Sequence, residues 1–193
     1  MTMKTIKELS DYLQQMPHDF VVLIIVSAEG YARANAEILK VLANEDNLPG
    51  LYITVNKPYI TMKRSLEENG VRTERIFFID CITKTAGGMP EDDKNVLYLD
   101  SPQNLTGLGM AMGEALSNMP AGDKFLFMDS LSTLLLYHNI GTVAKFSHFL
   151  TSKMRVWGLR GILMSVEKET DPEFADQLSQ FCDAVLKIED KNE

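Results

Sequence analysis

The sequence predicts a three-layer α/β/α unit built on a mostly parallel central sheet of about seven strands. Two observations carry that expectation. Short apolar runs rich in β-branched residues alternate with amphipathic stretches of helical length along nearly the whole chain, and residues 20–26 read Phe-Val-Val-Leu-Ile-Ile-Val without a polar break. An unbroken apolar strand is one buried on both faces, as in a parallel sheet whose crossover helices cover it on either side.

Each element has its own signal. Met3, Ile6, Leu9, Leu13 and Met16 recur at three- and four-residue spacing, so an amphipathic helix is expected over 3–16, within an N-terminal segment 1–17 that Pro17 closes. After strand 20–26, a helix is expected over 31–43. A second strand at 51–55 leads to a helix at 59–69, with Gly70 placed as its C-terminal cap. Strand 75–80 and strand 96–100 flank a polar, glycine-bearing segment at 83–94 expected to be a mobile loop. Ser101 and Pro102 suggest a capped helix start running to Met119. Strands at 124–129, 161–166 and 184–188 follow, separated by helices at 142–157 and 172–181. No repeat or linker divides the chain, so one domain over 1–193 is expected.

Composition narrows the function classes. At 193 residues the chain can close a sizeable core without staples. The net charge is −8, and the densest basic groups, Lys63-Arg64 and Lys153 with Arg155, are too small for a phosphate-tracking stripe. Nucleic acid is thus an unfavoured partner. Two cysteines, Cys81 and Cys182, have no metal-ligand spacing and are too few for a disulfide framework, so a reducing, cytoplasmic setting is expected. The longest apolar run has seven residues, too few for a bilayer, so no membrane partner is expected. Eleven methionines serve as adaptable core filler or as part of an interaction surface.

Ligands of open parallel sheets sit beyond the carboxyl ends of the strands. There the chain resembles a known family. Residues 124–130 read Lys-Phe-Leu-Phe-Met-Asp-Ser, similar to the Walker B strand of RecA-type ATPases, above all the KaiC and RadA branch. Residues 50–54, Gly-Leu-Tyr-Ile-Thr, resemble that branch's second strand, and 181–188, Phe-Cys-Asp-Ala-Val-Leu-Lys-Ile, its last. Residues 102–136 resemble archaeal KaiC relatives that lack a Walker A motif. The resemblance implies a RecA-like fold and an ancestral ATP site.

The first loop departs from that pattern. A phosphate loop reads G-x-x-x-x-G-K-[ST]: its glycines free backbone amides, its lysine neutralises phosphate charge and its hydroxyl holds magnesium. In its place stands Ser27-Ala28-Glu29-Gly30-Tyr31-Ala32-Arg33-Ala34. Ser27 and Ala32 replace the glycines, Arg33 the lysine, and Ala34 lacks the hydroxyl. An inward-facing Glu29 would repel a phosphate about 4 Å away by roughly 4 kcal/mol at an effective dielectric near 20. The catalytic glutamate that the family carries after its second strand is absent from Thr54-Val55-Asn56-Lys57-Pro58.

The expectation is therefore a non-enzyme with no cofactor, ATP and magnesium being disfavoured. Vestigial nucleotide- or anion-binding positions are Ser27, Gly30, Arg33, Asn56, Asp129 and Ser130, with no catalytic residue and no metal ligand set. Asp129 is read as either a surviving metal ligand or a cap for the turn after it. Arg33 is read as either an anion ligand or a salt-bridged surface arginine. Phe146, Phe149, Leu150 and Trp157 form a stripe of one helix, for the core or for an interface. Such a module would act through protein contacts, as a homo-oligomer or beside a related active ATPase. The alternatives are an ATPase with Arg33 in the lysine's role, and a sensor of a small anion or metabolite.

Overall fold

The computed structural model describes residues 1–3 and 5–189. Eight strands form one sheet in which every neighbouring pair runs parallel. In chain order they are β1 (Thr2–Met3), β2 (Phe20–Val26), β3 (Gly50–Thr54), β4 (Ile76–Asp80), β5 (Val96–Tyr98), β6 (Phe125–Asp129), β7 (Arg160–Val166) and β8 (Ala184–Ile188). Across the sheet the order is β1-β8-β2-β7-β6-β3-β4-β5.

Helices cover both faces. One layer holds α1 (Ile6–Gln14), α2 (Tyr31–Leu39) with its π-helical extension over Lys40–Glu45, and α3 (Tyr59–Glu68). The other holds α4 (Leu105–Asn118), the single turn α5 (Leu131–Leu134), α6 (Ile140–Val156) and α7 (Pro172–Ser179). Strand residues alternate between two apolar clusters. Phe20, Val22, Ile24, Tyr52 and Phe127 face the first layer, whereas Val21, Leu23, Leu51, Ile53 and Leu126 face the second. This is the expected three-layer architecture, with a strand more than about seven.

The extra strand comes from the N-terminal segment, where a helix over 3–16 was expected. Position 4 lies outside the described residues. Thr2 and Met3 instead pair with Lys187 and Ile188, and α1 begins only after Thr5, whose hydroxyl accepts from the Glu8 amide at 3.2 Å. Met3 falls in step with the helical stripe, yet an open β8 edge offers its backbone ladder partners that helix would not. The Thr5-x-x-Glu8 spacing is the capping signature that marks this boundary.

A second correction concerns α4. The Ser101 hydroxyl accepts from the Gln103 amide and its carbonyl from the Asn104 amide, both at 3.1 Å, closing a turn, and Asn104 is the residue that caps the helix, its side chain accepting from the Gly107 amide at 2.8 Å. Gly70 does take its expected place, at φ 79°, with Gly70 N–H to Glu67 O and Val71 N–H to Leu66 O both at 2.9 Å. That bond pair is the left-handed termination glycine permits.

The segment 83–94 is irregular and tied at both ends. Near its start, the buried Asp80 carboxylate accepts from the amides of Tyr59, Ile82 and Thr83 at 2.7–2.8 Å. Near its end, Asp93 accepts from the Tyr59 hydroxyl at 2.5 Å and pairs with Lys63 at 3.0 Å. The Tyr59 hydrogen bond, the Asn95 amide and Lys63 pull the Asp93 carboxyl down to about 2.

Gly50 is fixed by packing. A methyl group there would stand 2.0–2.3 Å from the Phe125 ring, which is buried and lies beside it in register on β6. Gly50→Ala should destabilise the protein by about 1–3 kcal/mol, the usual cost of overpacking a core. Urea unfolding of the two proteins measures it, and an unchanged midpoint would refute the packing argument.

Candidate functional site

The carboxyl ends of β2, β3 and β6 lie on one edge of the sheet, and the residues following them build the site. Asp129 closes β6 opposite Thr54, at the end of β3, and its main-chain carbonyl accepts from the Val55 amide at 2.7 Å. The peptide linking it to Ser130 is cis. Asp129 is fully buried. A carboxylate without water must be hydrogen-bonded or be neutralised.

Two phenols meet that need. The Tyr31 hydroxyl donates to one carboxylate oxygen and the Tyr52 hydroxyl to the other. Tyr31 is the first residue of α2, and Tyr52 projects from β3 into the same layer, stacked on Phe127 with centroids 5.0 Å apart. Burial pushes the Asp129 carboxyl above its ordinary range, and the two phenol donors, with the Lys57 charge, act against that rise. Burial first, then the Asp129 charge, holds both phenols well above their own ordinary range. Proton donation therefore runs one way, from phenol to carboxylate.

A cavity of about 20 Å³ borders this group, lined by Tyr31, Asn35, Asn56, Lys57 and Asp129 among others. That is room for about one water molecule. Asn35 reaches the Tyr52 hydroxyl with its amide at 3.4 Å, while its buried Oδ1 has no partner among the described residues.

The expected positions divide sharply. Asp129 and Asn56 line the same small cavity, although Asn56 is itself exposed. Ser130 is buried and caps α5, its Oγ accepting from the Thr133 amide at 3.3 Å and lying 3.1 Å from Ser132 Oγ. Ser27 Oγ accepts from the Gly30 amide at 3.2 Å, so that amide faces a side chain within the turn. Gly30 has φ −84°, which any residue adopts. Arg33 is exposed on the first turn of α2. Glu29 is exposed too, so solvent screens its charge and the repulsion expected of an inward-facing Glu29 does not arise.

Sequence reasoning missed Tyr31, Tyr52 and Asn35. Tyr52 carried a usable signal: a hydroxyl inside a fully buried strand needs a partner, and only the β3–β6 register shows that Asp129 supplies it. Other side chains with reactive groups have structural contacts. Cys81 is buried, and burial, with the Asp80 charge, raises its thiol to about 12. His138 reaches the Pro102 carbonyl at 3.2 Å, and His148 packs against Phe181 with the rings tilted and their centroids 4.8 Å apart. Among the described residues, no cluster of three His, Cys, Asp or Glu side chains could hold a metal, and no helix is long and apolar enough to cross a membrane.

The model of a family of unknown function, DUF7504, matches residues 22–188. The chain belongs to DUF7504. No curated protein matches it. Among solved structures, a KaiC-like protein from the archaeon Pyrococcus horikoshii is similar at a TM-score of 0.61 and 16% identity, over 90% of this chain and 73% of that one. A second P. horikoshii protein reaches 0.64 at 18% identity, over 94% and 88%. A third, uncharacterised and crystallised with an unknown peptide, reaches 0.66 at 14%, over 94% and 82%. At such identities the likeness is one of fold, and this DUF7504 chain has the RecA/KaiC-like fold.

The Tyr31 hydroxyl is the removable half of the Asp129 clamp. Tyr31→Phe leaves one carboxylate oxygen short of a donor and should cost about 1–3 kcal/mol at neutral pH. Guanidinium unfolding gives the number, and a variant as stable as the parent would show that the bond does not hold Asp129.

Proposed function

We propose that this chain is a non-catalytic KaiC-like module that works through protein contacts, as a homo-oligomer or beside an active relative. The observation that carries the reading is the state of Asp129. In a working relative of this fold, the carboxylate at that strand end faces magnesium. Here both of its oxygens accept from tyrosines, inside a space for about one water. One of those tyrosines belongs to the segment that stands in for the phosphate loop.

Three further features support the same reading. Ala34 lacks the metal-binding hydroxyl, Arg33 is an exposed residue in the lysine's place, and Asn56 takes the glutamate's place without being able to act as a base. These groups do not fit magnesium-bound ATP in this arrangement. A triphosphate would need the phenols to leave, stripping a buried carboxylate of both donors, before any metal could approach it. The P. horikoshii neighbour crystallised with a peptide adds that a fold of this kind can hold a polypeptide segment.

Titration calorimetry with ATP and magnesium tests the proposal. The expected result is no saturable heat at millimolar nucleotide, for the parent and for Arg33→Ala alike. Saturable heat that Arg33→Ala abolishes would establish instead an ATP site in which Arg33 serves as the missing lysine.

A further inference from the structure

The other helical layer carries a feature that the site at the strand ends does not use. Between α4 and α6 runs an open groove of about 560 Å³. The stripe expected along α6 divides there. Phe146 and Leu150 are buried, but Phe149 and Trp157 stay 40% and 36% exposed, and Met110 of α4 faces them at 73%. Lys153 lies over both rings, 5.8 Å from the Phe149 centroid and 5.3 Å from that of Trp157.

The charge of this groove is opposite to that of the chain as a whole. The chain as a whole carries −8, yet the eleven residues lining the groove include two lysines, Lys145 and Lys153, and no acid. Neither lysine pairs with a carboxylate among the described residues. Lys145, Phe149, Lys153 and Trp157 follow one another at one-turn spacing, so cation and ring alternate over about 18 Å along α6 and its C-terminal cap residue.

The floor points the same way. Gly113 lies inside α4, where glycine costs about 1 kcal/mol relative to alanine. A methyl group there would meet nothing within 4 Å, and Gly113 is not among the glycines with positive φ. The chain's own packing gives no reason for it. A backbone left bare in a groove lets another backbone approach closely.

We propose that the α4–α6 groove binds an amphipathic, acidic helix of a partner protein. Its apolar stripe would seat against Met110, Phe149 and Trp157, and its flanking carboxylates would meet Lys145 and Lys153. Two helices with no free strand edge between them offer a third helix a seat, whereas an added β-strand would find no ladder. The inference rests on the protein-contact reading above and gives it a surface and a partner chemistry.

The test uses the full chain and a fluorescent helix of about 14 residues, long enough to span the lysines, with leucines on one face and glutamates flanking them. A control peptide carries lysines in place of the glutamates. Anisotropy should show saturable binding of the acidic peptide only. Lys145→Glu combined with Lys153→Glu should weaken it at least about tenfold and admit the lysine peptide instead. Gly113→Leu should leave melting unchanged or raise it while abolishing binding. Failure of the acidic peptide to bind, or binding indifferent to these changes, would overturn the proposal. So would self-association by light scattering that Trp157→Glu abolishes, since the occupant would then be a second copy. The two readings fail separately: ATP binding in the calorimeter would leave the peptide result standing, and a silent peptide would leave the calorimetry standing.

Discussion

A carboxylate taken out of water governs the strand-end site. Asp129 cannot stay charged at the end of a buried strand unless donors replace its hydration, and Tyr31 and Tyr52 are those donors. Their hydroxyls reach it from α2 and from β3, so the bond network ties the strand that ends at Asp129 to its neighbour and to the helix after the first loop. The same rings fill the space beside the sheet. Chemistry that would need Asp129 open is thereby in competition with the packing of the layer above it.

That competition explains why the loop residues matter less than their sequence suggests. Arg33 and Glu29 invite an argument about charge near a phosphate, but both side chains are exposed, and solvent screens the charge either would present to a buried group. Tyr31, an uncharged residue between them, decides more. It closes the space from inside, and its effect is steric and hydrogen-bonding together.

Much of the fold was legible. The unbroken apolar run 20–26 implied two covered faces, and Phe20–Val26 is flanked by β7 and β8 and covered on both sides. Gly70 announced its helix end. The N-terminal boundary was harder, because Met3 satisfies a helical stripe and a strand position equally, and only the free edge of β8 decides between them. The candidate site was legible in what it lacks and illegible in what it has. Missing glycines, lysine and hydroxyl can be read from a motif. The meeting of Tyr31, Tyr52 and Asp129 depends on register and helix placement, which residues 21 and 77 apart in sequence do not advertise.

The protonation and accessibility of Asp129 give the most direct measurement. Side-chain NMR with isotope-labelled aspartate can follow its carboxyl through a pH titration, then with manganese and ATP added as a paramagnetic stand-in for magnesium. The sealed site predicts a midpoint above the ordinary 3.8 and a resonance that manganese with ATP leaves sharp. An ordinary midpoint together with strong broadening by manganese would contradict it, for Asp129 would then be open to solvent and metal.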